Sequence, residues 1–422
     1  MAKKKIEKPK RVVTKRQLSR WQRHKRRQRL IRGLGISVII AVVGLVSAGI
    51  YYQWYLPEVK PLRDIVTEVN STKFNMDYYI KALKYQAGDQ YIQYVQYFLD
   101  PVLENIQKNE LIRQKALALG ISVSDSEVDE ALGGSELSVN QAVRDMVRAQ
   151  LLVTKLGEEY FEPQVPLSAE QRYIMAMFLE GENQAVDVRA RLEAGEDFGG
   201  IASELSLDSL TKENSGDLGW LPDGVISKII GTSVLDSLIT EAKIGVLSEG
   251  IYDEALQKSV GYWLIKVIAK DTETGTATVQ AMLLGSEEEA EEVLAQLDAG
   301  GDFATLAEEY SQTWSSTTGC EVDVTTGSAT TVFEGYALDP DVEIGVVSSI
   351  LRDEEETTTG GYWLFEVTDR DTLDISDANR KILLDNKLND WLESLWDDPE
   401  NTVVSYLDEE MRAFAINRVS GG

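Results

Sequence analysis

Two stretches of this chain recur about a hundred residues further on. Leu192-Glu-Ala-Gly-Glu-Asp-Phe198 returns as Leu297-Asp-Ala-Gly-Gly-Asp-Phe303, and Gly261-Tyr-Trp-Leu-Ile-Lys-Val267 returns as Gly361-Tyr-Trp-Leu-Phe-Glu-Val367. The two pairs keep their order and are offset by 105 and 100 residues. A period of that length is too long for a solenoid unit and suits tandem globular domains. The chain is therefore expected to hold two copies of one small domain.

Charge divides the chain sharply. Residues 1–32 contain 15 Lys and Arg against the single acid Glu7, a net +14, which leaves -42 for the rest of a chain whose total is -28. Between these regimes Gly33 to Pro57 carries no charge, and its centre is almost wholly aliphatic. A bilayer core needs roughly 20 such residues, which predicts one transmembrane helix over 33–56. Tyr51, Tyr52, Trp54 and Tyr55 follow as an interfacial aromatic belt. The positive-inside rule places the basic tail, 1–32, in the cytoplasm and the acidic bulk outside the cell membrane. The apolar run is longer than that of a cleaved signal peptide, so an uncleaved single-pass anchor is expected. The basic tail is read as a topology signal with affinity for anionic lipid, and no nucleic-acid partner is expected.

His24 is the only histidine and Cys320 the only cysteine. Beyond the membrane segment this excludes a Ser-His-Asp triad, a Cys-His pair, a histidine-bound metal and an intrachain disulfide. No metal site and no cofactor is expected.

The ectodomain reads as α+β and multidomain. Residues 60–165 form a helical module: Val102, Leu103, Ile106, Leu111, Ile112, Ala116 and Leu119 recur at helical spacing and stop at Gly120. Ser124-Asp-Ser-Glu127 has the form of a capping box. A third amphipathic helix is predicted from Val139 to about Tyr160. Tyr78, Tyr79, Tyr85, Tyr91, Tyr94, Tyr97 and Phe98 form an aromatic segment, divided between core and exposed surface. The first repeat occupies 170–272 and the second 277–371. Each runs strand, helices, loop, helix and closing strand, as in a small α+β domain. A C-terminal helical segment, 374–418, has nothing of its own to bury against, and its helix at about 376–397 is expected to return to the helical module.

These residues together resemble a known family. The Leu-Glu-Ala-Gly-Glu-Asp-Phe turn, the loop Ser206 to Trp220 with its Gly216-Asp-Leu-Gly-Trp220, and the Gly-Tyr-x-Leu-Ile-Lys-Val strand are similar to parvulin-type (PpiC-type) peptidyl-prolyl isomerase domains. The helical stretch Leu111 to Val128 resembles the chaperone module of the SurA and PrsA group of extracytoplasmic chaperones. The resemblance implies two parvulin-like domains, a SurA-type helical module completed by the C-terminal segment, and unfolded or proline-containing polypeptides as partners.

Prolyl isomerisation needs no covalent step, only an apolar pocket for the ring and electrostatic support for the twisted amide. Carried over by position, Asp208 matches the family's catalytic carboxylate. Ile226 and Ile230 match the pocket hydrophobes, and the resemblance implies that Leu218 and Trp220 on the glycine loop, with Met177 and Trp263, complete the substrate-binding pocket. The family's two histidines are replaced, by Met177 and Trp263 in the first repeat and by Met282 and Trp363 in the second. Exchanging both polar rings for apolar groups keeps the fold at little cost. The second repeat also has Thr313 at the carboxylate position and Gly319-Cys-Glu-Val-Asp-Val324 in place of the glycine loop, the pattern of a non-catalytic copy. The expectation is a membrane-anchored folding factor with isomerase activity weak or absent. Two alternatives stand beside it: an active isomerase working through the first repeat, and a non-catalytic assembly protein for one fixed membrane partner.

Overall fold

The structure is a computed structural model that describes residues 15–88, 92–133, 140–271, 273–313 and 320–421. Tyr91 of the aromatic segment, Val139 at the predicted helix start, Gly319 and residues 1–14 of the basic tail lie outside the described residues. The chain divides into two compact units, Met1–Leu156 with Trp391–Gly422, and Gly157–Asp390.

The first unit opens with helix α1 (Lys15–Ile50), which runs on as a π-helical segment to Val59. The stretch Gln22–Val59 is long and apolar enough to cross a membrane, and its apolar window is unburied. A hairpin of β1 (Ile65–Val69) and β2 (Thr72–Asn75) follows, and then helices α2 (Met76–Ala87), α3 (Leu99–Ala118), α4 (Asp125–Leu132) and α5 (Gln141–Lys155). Side-chain caps fix three of these starts. Asn75 accepts from Tyr78 N and Asn140 from Ala142 N, while Ser124 and Glu127 form the full capping box expected from their spacing. The C-terminal residues complete this unit. Strand β11 (Val403–Ser405) pairs antiparallel with β1, and Leu407 with Ala415 and Val419 of α15 (Glu409–Ser420) join a core of Val66, Met76, Tyr79, Leu83, Leu99 and Val102. Tyr79 is fully buried with its hydroxyl donating to Leu99 O at 2.8 Å, whereas Tyr94 and Tyr97 are exposed.

The second unit contains two four-stranded antiparallel sheets. Along the chain come β3 (Ser168–Leu179), α6 (Glu182–Glu193), α7 (Phe198–Leu205), α8 (Ser209–Glu213), β4 (Asp217–Pro222), α9 (Ile226–Ile230), α10 (Asp236–Glu241) and β5 (Ile251–Lys258). Then come β6 (Gly261–Asp271), β7 (Thr276–Leu284), α11 (Glu287–Asp298), α12 (Phe303–Tyr310), β8 (Glu321–Thr325), α13 (Thr331–Ala337), β9 (Leu351–Asp353), β10 (Thr358–Asp374) and α14 (Asp377–Asp397). The central strands are apolar on both faces because helices cover both. On β3, Ile174, Ala176 and Phe178 face the α9 and α10 side, and Met177 and Leu179 face α6 and α7.

Strand pairing departs from that of two contiguous repeats. The first sheet has the order β4-β3-β10-β5 and the second β8-β7-β6-β9. The closing strand of each repeat therefore lies in the other repeat's sheet. Trp363 stands opposite Phe178 and Leu364 opposite Met177, while Trp263 stands opposite Leu283 and Leu264 opposite Met282. The expected ranges 170–272 and 277–371 each divide between two sheets. Both closing strands begin Gly-Tyr-Trp-Leu, so the motif does not tell which sheet each one joins, and each is packed closely where it lies. Gly361 approaches so closely that a Cβ there would meet Leu179 O at 2.5 Å, and one on Gly261 would meet Leu283 Cδ1 at 2.6 Å.

Helix α14 also differs from expectation. Up to Asp390 it belongs to the second unit, where Ile382 and Leu383 pack on the first sheet's core and Asn386 Nδ2 donates to Gly224 O at 2.7 Å. Its last turns, with the buried Leu392 and Leu395, belong to the first unit.

Candidate functional site

Asp208 caps α8. Its Oδ1 accepts from Thr211 N at 2.8 Å and from Thr211 Oγ1 at 2.9 Å. Thr211 Oγ1 lies 2.7 Å from Ser206 Oγ, which accepts from Phe178 N at 3.1 Å, and Leu207 N donates to Phe178 O at 2.8 Å. One backbone bond and one bond to the Ser206 hydroxyl thus fasten the α7–α8 turn to β3, the buried hydroxyl pair braces the turn itself, and the Asp208 carboxylate is left half-exposed. The second repeat makes the same attachment, with Leu283 N donating to Ser311 Oγ at 3.1 Å and Gln312 N to Leu283 O at 2.8 Å. There the corresponding residue is Thr313, which carries no charge.

The glycine loop returns from α8 to β4. Gly216 has a φ of +77°, and a Cβ there would come within 2.8 Å of the Phe198 ring, so only glycine fits. Leu207 and Leu218, both half-buried, pack on the core formed by Phe178, Ile226, Ile230 and Trp363. The structure therefore brings Leu218, Ile226 and Ile230 to one face of the first sheet, beside the turn that carries Asp208. That face is closed: Ile226 is 2 % exposed, Ile230 3 % and Trp363 0 %.

Three expected pocket residues lie elsewhere. Met177 is buried on the opposite face of β3 among Leu179, Ala185, Val188 and Leu364. Side chains alternate along a strand, and a shift of one residue reverses the face. Trp220 is opposite Tyr173 in the β3–β4 ladder, 5.6 Å from its ring, and so is also turned away from Ile226. Trp263 belongs to the second sheet, with its ring 4.6 Å from Phe333 and its Nε1 donating to Asp353 at 3.2 Å.

The strand exchange brings in residues that position matching on one repeat missed. Trp363 fills the first sheet's site, 5.0 Å from the Phe178 ring, with Nε1 donating at 3.2 Å to the buried Asp253. Asp253 also accepts from Ala255 N and Leu256 N, at 3.2 and 3.3 Å. The repeated Gly-Tyr-Trp was the available signal, but it names two equivalent tryptophans and does not choose between them.

Residues 179–269 match the family model described as Rotamase, PPIC-type PPIASE domain. Over 267 residues the chain is 25% identical to the Foldase protein PrsA of Caldanaerobacter subterraneus subsp. tengcongensis, covering 60% of this chain and 80% of that protein. It is 26% identical over 339 residues to the Chaperone SurA of Alkalilimnicola ehrlichii, covering 66% of this chain and 74% of the relative. Among solved structures, the peptidylprolyl isomerase PrsA from Bacillus anthracis aligns with 75% of this chain and 94% of its own, at 13% identity and a TM-score of 0.31.

Proposed function

From the premise of a SurA/PrsA-like, parvulin-type chain, we propose a membrane-anchored extracytoplasmic folding factor that holds unfolded or exported polypeptides, with prolyl isomerisation weak or absent. The observation that carries this reading is an open groove of about 560 Å³ in the first unit, whose apolar lining includes Tyr85, Ile112, Met146, Val147, Val153 and Leu392. Unfolded chains offer apolar side chains without fixed backbone geometry. A groove of this kind, with the exposed Tyr94 and Tyr97 on the same unit, takes them by area burial at roughly 25 cal/mol per Å². The α1 segment would anchor the protein, with its N-terminus cytoplasmic and its basic tail held to anionic lipid at about 1 kcal/mol per Lys or Arg.

Weak catalysis follows from the first sheet's closed face. A prolyl ring must be enclosed by the pocket residues, yet Ile226 and Ile230 are already core, and an indole stands where the family places a histidine. One observation favours the second reading, an active isomerase: Asp208 keeps a half-exposed carboxylate on a well-anchored turn.

Cis–trans exchange of a proline peptide by residues 60–422 tests both. Asp208→Asn removes the charge but keeps an acceptor for Thr211 N. Suppressed aggregation of a denatured client without exchange is the expected result. Exchange that is clear in the parent and lost in Asp208→Asn would establish the isomerase instead.

A further inference from the structure

The two closing strands make equivalent bonds in the sheets they occupy. Trp363 Nε1 donates to Asp253 and Trp263 Nε1 to Asp353, both at 3.2 Å. Phe365 N donates to Ser248 Oγ at 2.9 Å and Ile265 N to Ser348 Oγ at 3.0 Å. Gly245 N reaches Val367 O, and Gly345 N reaches Val267 O, each at 2.8 Å. Leu264 and Leu364 are both fully buried. Every one of these bonds joins a residue of one repeat to the other. A contiguous closure would satisfy the same donors and acceptors, since seven residues separate Asp253 from Gly261 and seven separate Asp353 from Gly361. Hairpin loops of that length are longer than the commonest but readily closed. The sheets alone therefore do not choose between the two pairings.

The linking segments do. Ser259 and Val260 carry the chain from β5 to β6, residues 354–357 carry it from β9 to β10, and the two paths cross. At the crossing Lys258 pairs with Thr358 and Gln257 with Thr359 in the β5–β10 ladder. Thr358 Oγ1 donates to Val260 O at 2.5 Å, and Lys258 Nζ donates to Glu180 O at 2.8 Å and to Gly360 O. Thr359 N donates to Gln312 Oε1 at 2.7 Å. Lys258, Val260 and Thr358 are all buried. Two separate hairpin loops would not bring Lys258 to Thr358, or Thr358 to Val260.

We propose that the closing strands are alternative partners for either sheet, and that the buried crossing around Lys258 and Thr358 is the device that selects the exchanged closure. The contacts that join the repeats, Thr358 Oγ1 to Val260 O and Lys258 Nζ to Gly360 O, form only in that closure, so each biases the choice several-fold, the net value of a buried hydrogen bond. The proposal does not depend on which client the protein holds.

Cysteine pairs report the closure in the full chain. Met175 stands opposite Glu366 in the exchanged sheet, and Lys266 would take that place in the contiguous one. Met175→Cys with Glu366→Cys should cross-link within one chain, whereas Met175→Cys with Lys266→Cys should not. After unfolding and refolding, Lys258→Met with Thr358→Val should raise the yield of the 175–266 bond relative to the 175–366 bond by about tenfold, as the loss of two contacts worth several-fold each requires. Thr358→Val alone, close to the parent in shape, should shift the ratio in the same direction by less. A 175–266 bond in the unsubstituted crossing, or an unchanged ratio in both refolded variants, would overturn the proposal.

Discussion

Trp363 donates its indole Nε1 to the buried carboxylate of Asp253 at 3.2 Å, and Trp263 does the same to Asp353 at the same distance. Each acid precedes a linking segment of its own repeat and holds the tryptophan of the other. The two bonds are thus the polar seal of a reciprocal strand exchange, placed inside otherwise apolar cores.

Removing one indole donor leaves a buried carboxylate with backbone donors alone. Trp363→Phe should cost about 1–3 kcal/mol beyond the packing lost, because an unsatisfied buried acceptor carries its full desolvation penalty. Trp263→Phe should cost less, since Asp353 is also met by Thr330 Oγ1. Urea titration of each variant, read as a midpoint shift at constant slope, measures the difference. Equal costs would mean that the indole bonds contribute little.

The exchange also divides the second unit at unexpected places. Because Lys258 and Thr358 are paired neighbours in the first sheet, replacing residues 260–357 by a short turn should leave a complete four-stranded body. Excision at the repeat boundary instead, keeping 168–272, removes β10 from beside β3. The expected outcome is a cooperative unfolding transition for the first design with Trp363 buried. For the second, β6 should take the vacant place in the contiguous closure, giving a cooperative transition at a lower midpoint, since Lys258 has no Thr358 to pair with. Denaturation followed by tryptophan emission distinguishes them.

What the sequence disclosed follows from the range of each interaction. The capping box at Ser124 and Glu127 was legible because its bonds close over three residues. The apolar segment after Arg32 and the doubled motif were legible as pattern. Pairing of β3 was not legible, because its partner lies nearly two hundred residues away and two strands share the same opening sequence. The inward face of Met177 was hidden for a related reason. A strand buried on both sides shows no alternation, so nothing local tells residue 177 from 176 or 178. Ile226 and Ile230 could be placed together because a short helix sets four residues on one face.

Client holding should depend on the exposed aromatics of the first unit. Tyr97 is 69 % exposed and its ring centroid lies 6.4 Å from that of Tyr94, so neither ring is required by the core. Tyr94→Ser with Tyr97→Ser should leave the unfolding midpoint within about 0.5 kcal/mol of the parent. Suppression of client aggregation should weaken several-fold, as loss of two aromatic contacts implies. Light scattering of a denatured client at fixed ratio checks this, and undiminished suppression would place the binding surface elsewhere.

Lys258 gives the fold a pH signature with a definite sign. Burial lowers its ammonium from 10.5 to about 8, against the opposing pull of the Glu180 and Glu289 carboxylates. In the unfolded chain the group keeps its ordinary value. Between these values the unfolded state holds a proton that the folded state has released, so stability rises with pH across the window from 8 to 10.5. Below it both states are protonated, and the folded chain bears the full cost of a buried cation. Each unit of difference is worth about 1.4 kcal/mol, so the parent should gain about 2–3 kcal/mol over Lys258→Met between pH 8 and pH 10.5. The comparison cancels the tyrosines and other groups that titrate in both proteins. Denaturant midpoints taken at half-unit steps would show a flat difference up to about pH 7 and a rise thereafter. A flat difference throughout would mean that the two carbonyls, Glu180 O and Gly360 O, hold the ammonium charged in the folded state despite its burial.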